Sequence, residues 1–203
     1  MILAIDTSTA ACTAALFDLS GACLGNRNEL IGRGHAERLV PMIGELLEGR
    51  RAAQVLVGVG PGSFTGIRVG IAAAHGLAIG WGATVFGMSS MALLAAVAGD
   101  EGQVAAAIEG GHGEIFVQEF DAGTLQPNGP LLNLPPALAA ARVRAERVIG
   151  PAAARLVEAR KSGIAIEGWP DASQAMRLPP AMRSMPAKPL YARAPDAKVK
   201  NAA

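Results

Sequence analysis

Aromatic side chains are scarce in this chain of 203 residues, which has five Phe, two Trp and one Tyr. A core without them must be filled by Ala, Val, Leu and Ile, and by backbones brought together through 25 glycines. An excess of charge is missing too. The formal net charge is +1, which excludes the broad basic face of a protein that grips nucleic acid by itself. Cys12 and Cys23 are the only cysteines, too few for a disulfide scaffold and without metal-ligand spacing. They fit a reducing compartment and read as small buried apolar residues, with a bond between them left open. Of the three histidines, His35, His75 and His112, no two share a helical face at ligand spacing, so no metal site is expected. The opening residues carry no basic-then-apolar signal pattern, and the expected location is cytoplasmic.

From Val69 to Gly99 the chain has no Asp, Glu, Lys or Arg, a run long enough to cross a bilayer. Six glycines, His75 and Ser89-Ser90 interrupt it, and Gly80-Trp81-Gly82 reads as a turn. The run therefore divides into helix, strand and helix inside an α/β core, and no membrane partner is expected.

Apolar periodicity predicts strands at 2–6, 13–18 and 23–28, a helix at 36–48, a strand at 55–59, a helix at 64–79, a strand at 84–87 and a helix at 90–98. Three meandering strands followed by parallel βα units is the ribonuclease H-like order. The second half repeats it more weakly. Strands are expected at 103–108, 114–120, 131–132, 148–149 and 164–166, with helices at 136–147 and 152–161. Proline and glycine thicken from Gly168 to Pro189, so elements there should be short or absent. The expected division is a first module over 1–100, a smaller one over 101–190, and a tail over 191–203 that can return to the first module.

The stretch Gly58-Val59-Gly60-Pro61-Gly62-Ser63-Phe64-Thr65-Gly66-Ile67-Arg68-Val69-Gly70 joins a buried strand to a helix. Its glycines permit a sharp turn, and Ser63 suits a helix N-cap. Such a helix start can receive an anion. However, no Lys-Ser/Thr pair follows the glycines and the G-x-G-x-x-G pattern is not met. Packing and phosphate binding both remain open for Gly60, Gly62 and Ser63. Small residues recur every four positions along this helix in two stripes, Gly66, Gly70 and Ala74, and Ala72, Gly76 and Gly80. One stripe is expected to pack on the chain's own sheet, and the second is surplus for a one-sided contact.

That loop, the opening Met1-Ile2-Leu3-Ala4-Ile5-Asp6-Thr7-Ser8-Thr9, the segment His35-Ala36-Glu37-Arg38-Leu39-Val40-Pro41-Met42-Ile43 and Tyr191-Ala192-Arg193 occur in order. Together they resemble the TsaB (YeaZ) family of bacterial tRNA threonylcarbamoyladenosine biosynthesis proteins, closely over residues 1–95 and more loosely beyond. The resemblance implies tandem ribonuclease H-like modules in the actin-like (ASKHA) ATPase fold. Asp6 and the Thr7-Ser8-Thr9 turn stand where active actin-like phosphotransferases hold a metal and a nucleotide phosphate. Equally, Asp6 can cap the turn by accepting from the N–H groups of Ser8 and Thr9.

The catalytic relative TsaD has two metal-binding histidines four residues apart, at the start of the helix after its fifth strand. The matching segment here is Gly87-Met88-Ser89-Ser90-Met91-Ala92-Leu93-Leu94, without those ligands. The turn Glu109-Gly110-Gly111-His112-Gly113-Glu114 also departs from the basic turn of the family. The implied role is a non-catalytic partner of TsaD, acting with TsaE, contacting tRNA mainly indirectly and pairing with itself when TsaD is absent. The implied partner surface carries His35, Leu39, Met42, Gly66, Arg68, Gly70, Ala74 and His75. No cofactor of its own is implied, with ATP or ADP near the TsaD interface left open. An actin-like phosphotransferase and a glycoprotease-like peptidase are the rival readings.

Overall fold

The computed structural model describes residues 1–190; the Tyr191-Ala192-Arg193 motif and the 191–203 tail lie outside the described residues. Five strands form the first sheet: β1 Ile2–Asp6, β2 Ala11–Phe17, β3 Cys23–Leu30, β4 Gln54–Gly58 and β5 Thr84–Met88. Their order is β3-β2-β1-β4-β5, antiparallel among the first three and parallel from β1 through β4 to β5. The second sheet has β6 Gln103–Glu109, β7 Ile115–Asp121, β8 Leu132–Leu134, β9 Arg147–Ile149 and β10 Ile164–Ile166. Across the sheet these run β10-β9-β6-β7-β8, again a meander with parallel strands added beside its first member. The chain thus holds two ribonuclease H-like modules in tandem, the actin-like arrangement.

The layering follows from the two-residue period of a strand. In β1, Leu3 and Ile5 pack against helix α1 (His35–Leu47), while Ala4 between them faces the opposite layer. β2 and β4 divide in the same way: Cys12, Ala14, Leu16, Val55 and Val57 on one side, Ala15, Phe17 and Leu56 on the other. With both faces covered, these strands read as continuous apolar runs. Helix α2 (Phe64–Trp81) lies beside α1 on the outer face. Helix α3 (Ser90–Val97) lies between the two sheets, and seven of its eight residues are buried. Val104, Ala106, Ile108 and Phe120 of the second sheet join the cluster around α3. The far face of that sheet is covered by α4 (Pro136–Ala140) and α5 (Ala153–Arg160).

Two expectations are corrected. The helix predicted over 136–147 stops at Ala140. Beyond it the Glu119 carboxylate accepts the N–H groups of Arg144 and Ala145, at 2.7 and 2.5 Å, so those donors are satisfied outside any helix. The turn expected at Gly80-Trp81-Gly82 comes slightly later, since α2 runs to Trp81 and ends on Gly82 at φ +67°. The segment after β10 returns to the first sheet within the described residues. The 3-10 segment Ala172–Arg177 packs on β1, β2 and β3, and helix α6 (Pro180–Arg183) packs on β5. Met185 exchanges backbone hydrogen bonds with Gly87, and Leu190 N–H donates to Val59 O. Both cysteines are free, Cys12 buried and Cys23 exposed, so the buried reading holds for Cys12 alone.

Candidate functional site

Asp6 ends β1 and is 1% exposed. Its Oδ1 accepts from Ser8 N–H at 2.8 Å and from Ser8 Oγ at 2.7 Å. Its Oδ2 accepts from Ser90 Oγ at 2.6 Å, and Ser90 Oγ in turn accepts from Gly60 N–H at 3.1 Å. Burial pushes the Asp6 carboxyl above the usual carboxylate range, against the opposing pull of the Ser90 and Ser8 hydrogen bonds. Of the two turn donors expected for a cap, Ser8 N–H is the one that binds. Ser90, 84 residues away, was not foreseen. Ser89 supplies the N-cap of α3 by accepting from Ala92 N–H, and this sets Ser90 at the start of the helix, under the carboxylate.

The neighbouring hydroxyls are also engaged. Thr7 Oγ1 donates to Gly66 O at 2.7 Å, and Ser63 N–H donates to Ser8 O at 2.7 Å. The glycine loop is pressed onto this turn. A Cβ on Gly58 would land on Asp6 Oδ2, one on Gly62 on Ser8 O, and one on Gly66 on Thr7 O. Gly62 has φ +149° besides. Gly60 and Ser63 therefore spend their N–H groups inside the protein, on Ser90 and Ser8. This is the self-capped form of the turn: the buried carboxylate accepts from Ser8 and Ser90, and the Thr7 and Ser8 hydroxyl protons are committed within the chain. Packing is the use the loop makes of its glycines, with Ser63 as the N-cap that accepts from Gly66 N–H.

Above the turn lies a cleft of about 650 Å³. Ser8, Thr9, Arg33, His35, Ser63, Thr65 and Val69 line it from the first module, and Ile108, Glu109, Pro151 and Trp169 from across the gap. Arg155 holds the Glu109 carboxylate and also donates to Gly113 O. Among the described residues no group of three or more His, Cys, Asp or Glu is placed to hold a metal ion. No helix among them is long and apolar enough to cross a membrane.

The residues expected at a partner surface separate into two sets. Leu39, Met42 and Ala74 are fully buried in the outer core of the first module. Gly66 and Gly70 face Thr7, with Val57 also beside Gly70. His35 is buried with Nε2 3.2 Å from Ala11 O. These six are corrections, because their side chains and Cα faces are used within the chain. Arg68, stacked over the Phe64 ring at 3.2 Å from its centroid, and His75 are exposed. The second small stripe points outward: Ala72, Gly76 and Gly80 are exposed, and Cβ atoms on the two glycines would meet nothing. Val40 of α1 and Phe64 and Ile79 of α2 are 52%, 64% and 85% exposed.

The solved structure of YeaZ from Pseudomonas aeruginosa is similar to this chain with a TM-score of 0.78 and 30% identity, over 94% of this chain and 98% of that one. A family profile described as TsaD, tRNA N6-adenosine threonylcarbamoyltransferase, matches residues 26–132. The chain belongs to the TsaB (YeaZ) family. The relative named tRNA threonylcarbamoyladenosine biosynthesis protein TsaB from Escherichia coli (strain K12) is 37% identical over 127 residues, 59% of this chain and 54% of the relative. The TsaB of Haemophilus influenzae is 38% identical over 126 residues, 58% of this chain and 52% of the relative. The chain thus spans about half the length of these curated TsaB relatives. An uncharacterised protein of Mycobacterium tuberculosis is 32% identical over 223 residues, covering 97% of this chain and 93% of its own length.

Proposed function

We propose that this TsaB-family chain is a non-catalytic partner of TsaD in forming the threonylcarbamoyl group on the adenosine next to the tRNA anticodon, with TsaE completing the assembly. The observation that carries this reading is the outward face of α1 and α2. Apolar Val40 of α1 and Phe64 and Ile79 of α2 are exposed, as are the small residues Ala72, Gly76 and Gly80 along α2. A glycine inside a helix costs about 1 kcal/mol relative to Ala. Two exposed ones, where an added Cβ would meet nothing among the described residues, are accounted for by a partner helix that approaches closely. TsaD is the proposed occupant, or a second copy of this chain when TsaD is absent. Contact with tRNA is then mainly indirect, in keeping with the near-zero net charge.

The chemistry would reside in TsaD. An actin-like phosphotransferase needs a reachable carboxylate and free hydroxyls at the β1 turn, and here Asp6, Thr7 and Ser8 are all bonded internally. A peptidase needs a metal cluster or an activated nucleophile, and neither is assembled among the described residues. ATP or ADP, if bound, would enter the cleft beside the starts of α1 and α2 and remain intact on this chain. The site of action is proposed as cytoplasmic.

The test mixes the purified chain with TsaD of the same organism and measures mass by light-scattering chromatography. Gly76→Arg is the informative variant, since Gly70→Arg would strike Thr7 and Val57 inside the protein. A heterodimer formed by wild type and by Ser162→Arg, but lost in folded Gly76→Arg, is expected. No complex at micromolar concentration would overturn the reading.

A further inference from the structure

The two modules are joined through Gly99-Asp100-Glu101-Gly102, with Gly99 at φ +94° and Gly102 at φ +70°. Such a sequence can act as a hinge, and the cleft walls stand on opposite sides of it. In this protein two arginines converge on that linker. Arg147, the first residue of β9, donates from Nη1 to Glu101 O at 2.6 Å and from Nη2 to Ala98 O. Arg177 ends the 3-10 segment that packs on the first sheet. It donates from Nη1 to Ala96 O at 2.7 Å, and its Nη2 pairs with the Asp100 carboxylate.

The last carbonyls of a helix lack partners within it, and cations are favoured there. α3 ends at Val97 with Ala98 as its C-cap, so the two guanidiniums supply the donors its end needs. A planar fork reaches two acceptors at once, which fixes the direction of each contact as well as its strength. The source of each arginine matters most. Arg147 belongs to the second sheet, and Arg177 to a segment packed on the first. The linker is thereby tied to both bodies along its length.

We infer that Arg147 and Arg177 form a latch on the C-terminal end of α3 that adds to the core shared around that helix and fixes the linker, so that the cleft keeps one width instead of opening and closing. A ligand entering the cleft then meets preformed walls. The α1–α2 face is presented unchanged whether or not the cleft is filled. This inference is independent of which partner uses that face.

Trp169 lines the far wall of the cleft and reports its opening. The experiment uses the full chain carrying Trp81→Phe, so that Trp169 is the only indole. It compares acrylamide quenching and amide hydrogen exchange for the parent and for Arg147→Met with Arg177→Met. Exchange at residues 98–102 and 108–109 is expected to rise by about tenfold or more. Trp169 quenching should rise with it, while amides of the central strands β4 and β6 away from the cleft keep parental rates. Arg147→Lys with Arg177→Lys, which keeps the charge without the fork, should fall between. Unchanged linker exchange and quenching in a folded double variant would overturn the latch. A uniform rise that includes the central strands would do so as well, because the arginines would then be general stabilisers. If the double variant does not fold, each single variant is read by the same two measurements, and silence in both overturns the inference.

Discussion

Asp6 shows how one buried residue can govern a whole motif. Its carboxylate is desolvated, and burial outweighs the pull of the Ser90 and Ser8 hydrogen bonds and of the His35 charge, so its folded pKa lies above the ordinary 3.8. The folded state therefore holds its proton to higher pH than the unfolded state. The stability linked to this group is fully present below the unfolded pKa and is lost as pH rises through the folded one. Asp6→Asn removes that dependence. Urea midpoints measured from pH 4 to pH 8 should move in favour of the variant as pH rises, and a constant gap would contradict the account. The residues of this motif were visible in the sequence, but their use was not. Thr7-Ser8-Thr9 after a buried Asp reads equally as a phosphate turn or as a self-capped turn. What decides between them is Ser90, which is distant in the chain and unremarkable where it stands.

At the level of the element, glycines of one residue type have opposite consequences. Gly66 in α2 is packed onto Thr7 O, whereas Gly44 in α1 has nothing within reach of an added Cβ. Gly66→Ala should therefore destabilise by roughly 1–3 kcal/mol or more, as overpacking does. Gly44→Ala should stabilise by up to about 1 kcal/mol through helix propensity. Thermal melts of the two variants beside wild type check both signs. Helix α2 also marks the limit of reading periodicity. Its two small stripes are alike as patterns, and the expectation placed the partner face on Gly66, Gly70 and Ala74, the stripe that turned inward. Only the crowding of Thr7 and Val57 against Gly70 distinguishes them. Elements from β1 to α3 were legible in type and order because apolar spacing and turn residues agree, although β2 already begins at Ala11 and α2 runs on to Trp81. The stop at Ala140 was not, and the 144–145 amides expected inside that helix bond instead to the Glu119 carboxylate on another strand.

At the scale of the molecule, the repeated strand order suggests two separable halves, and the packing around α3 ties them together. Met91, Leu93 and Leu94 of α3 are buried with Phe17 and Leu56 from the first sheet and with Ile108 and Phe120 from the second. Ala172, Ala175 and Leu178 from the returning segment close the same cluster. Each sheet therefore relies on the other to keep α3 out of water, and the first also relies on residues supplied after the second is complete. A chain cut between Gly99 and Gly102 would give two fragments that each expose a large apolar surface. Expressed singly they should be insoluble or molten, with no sharp melting transition. Expressed together they should recombine into one folded body with a native-like melt, so that the molecule would serve as a split pair whose reassembly reports the proximity of whatever is fused to its halves.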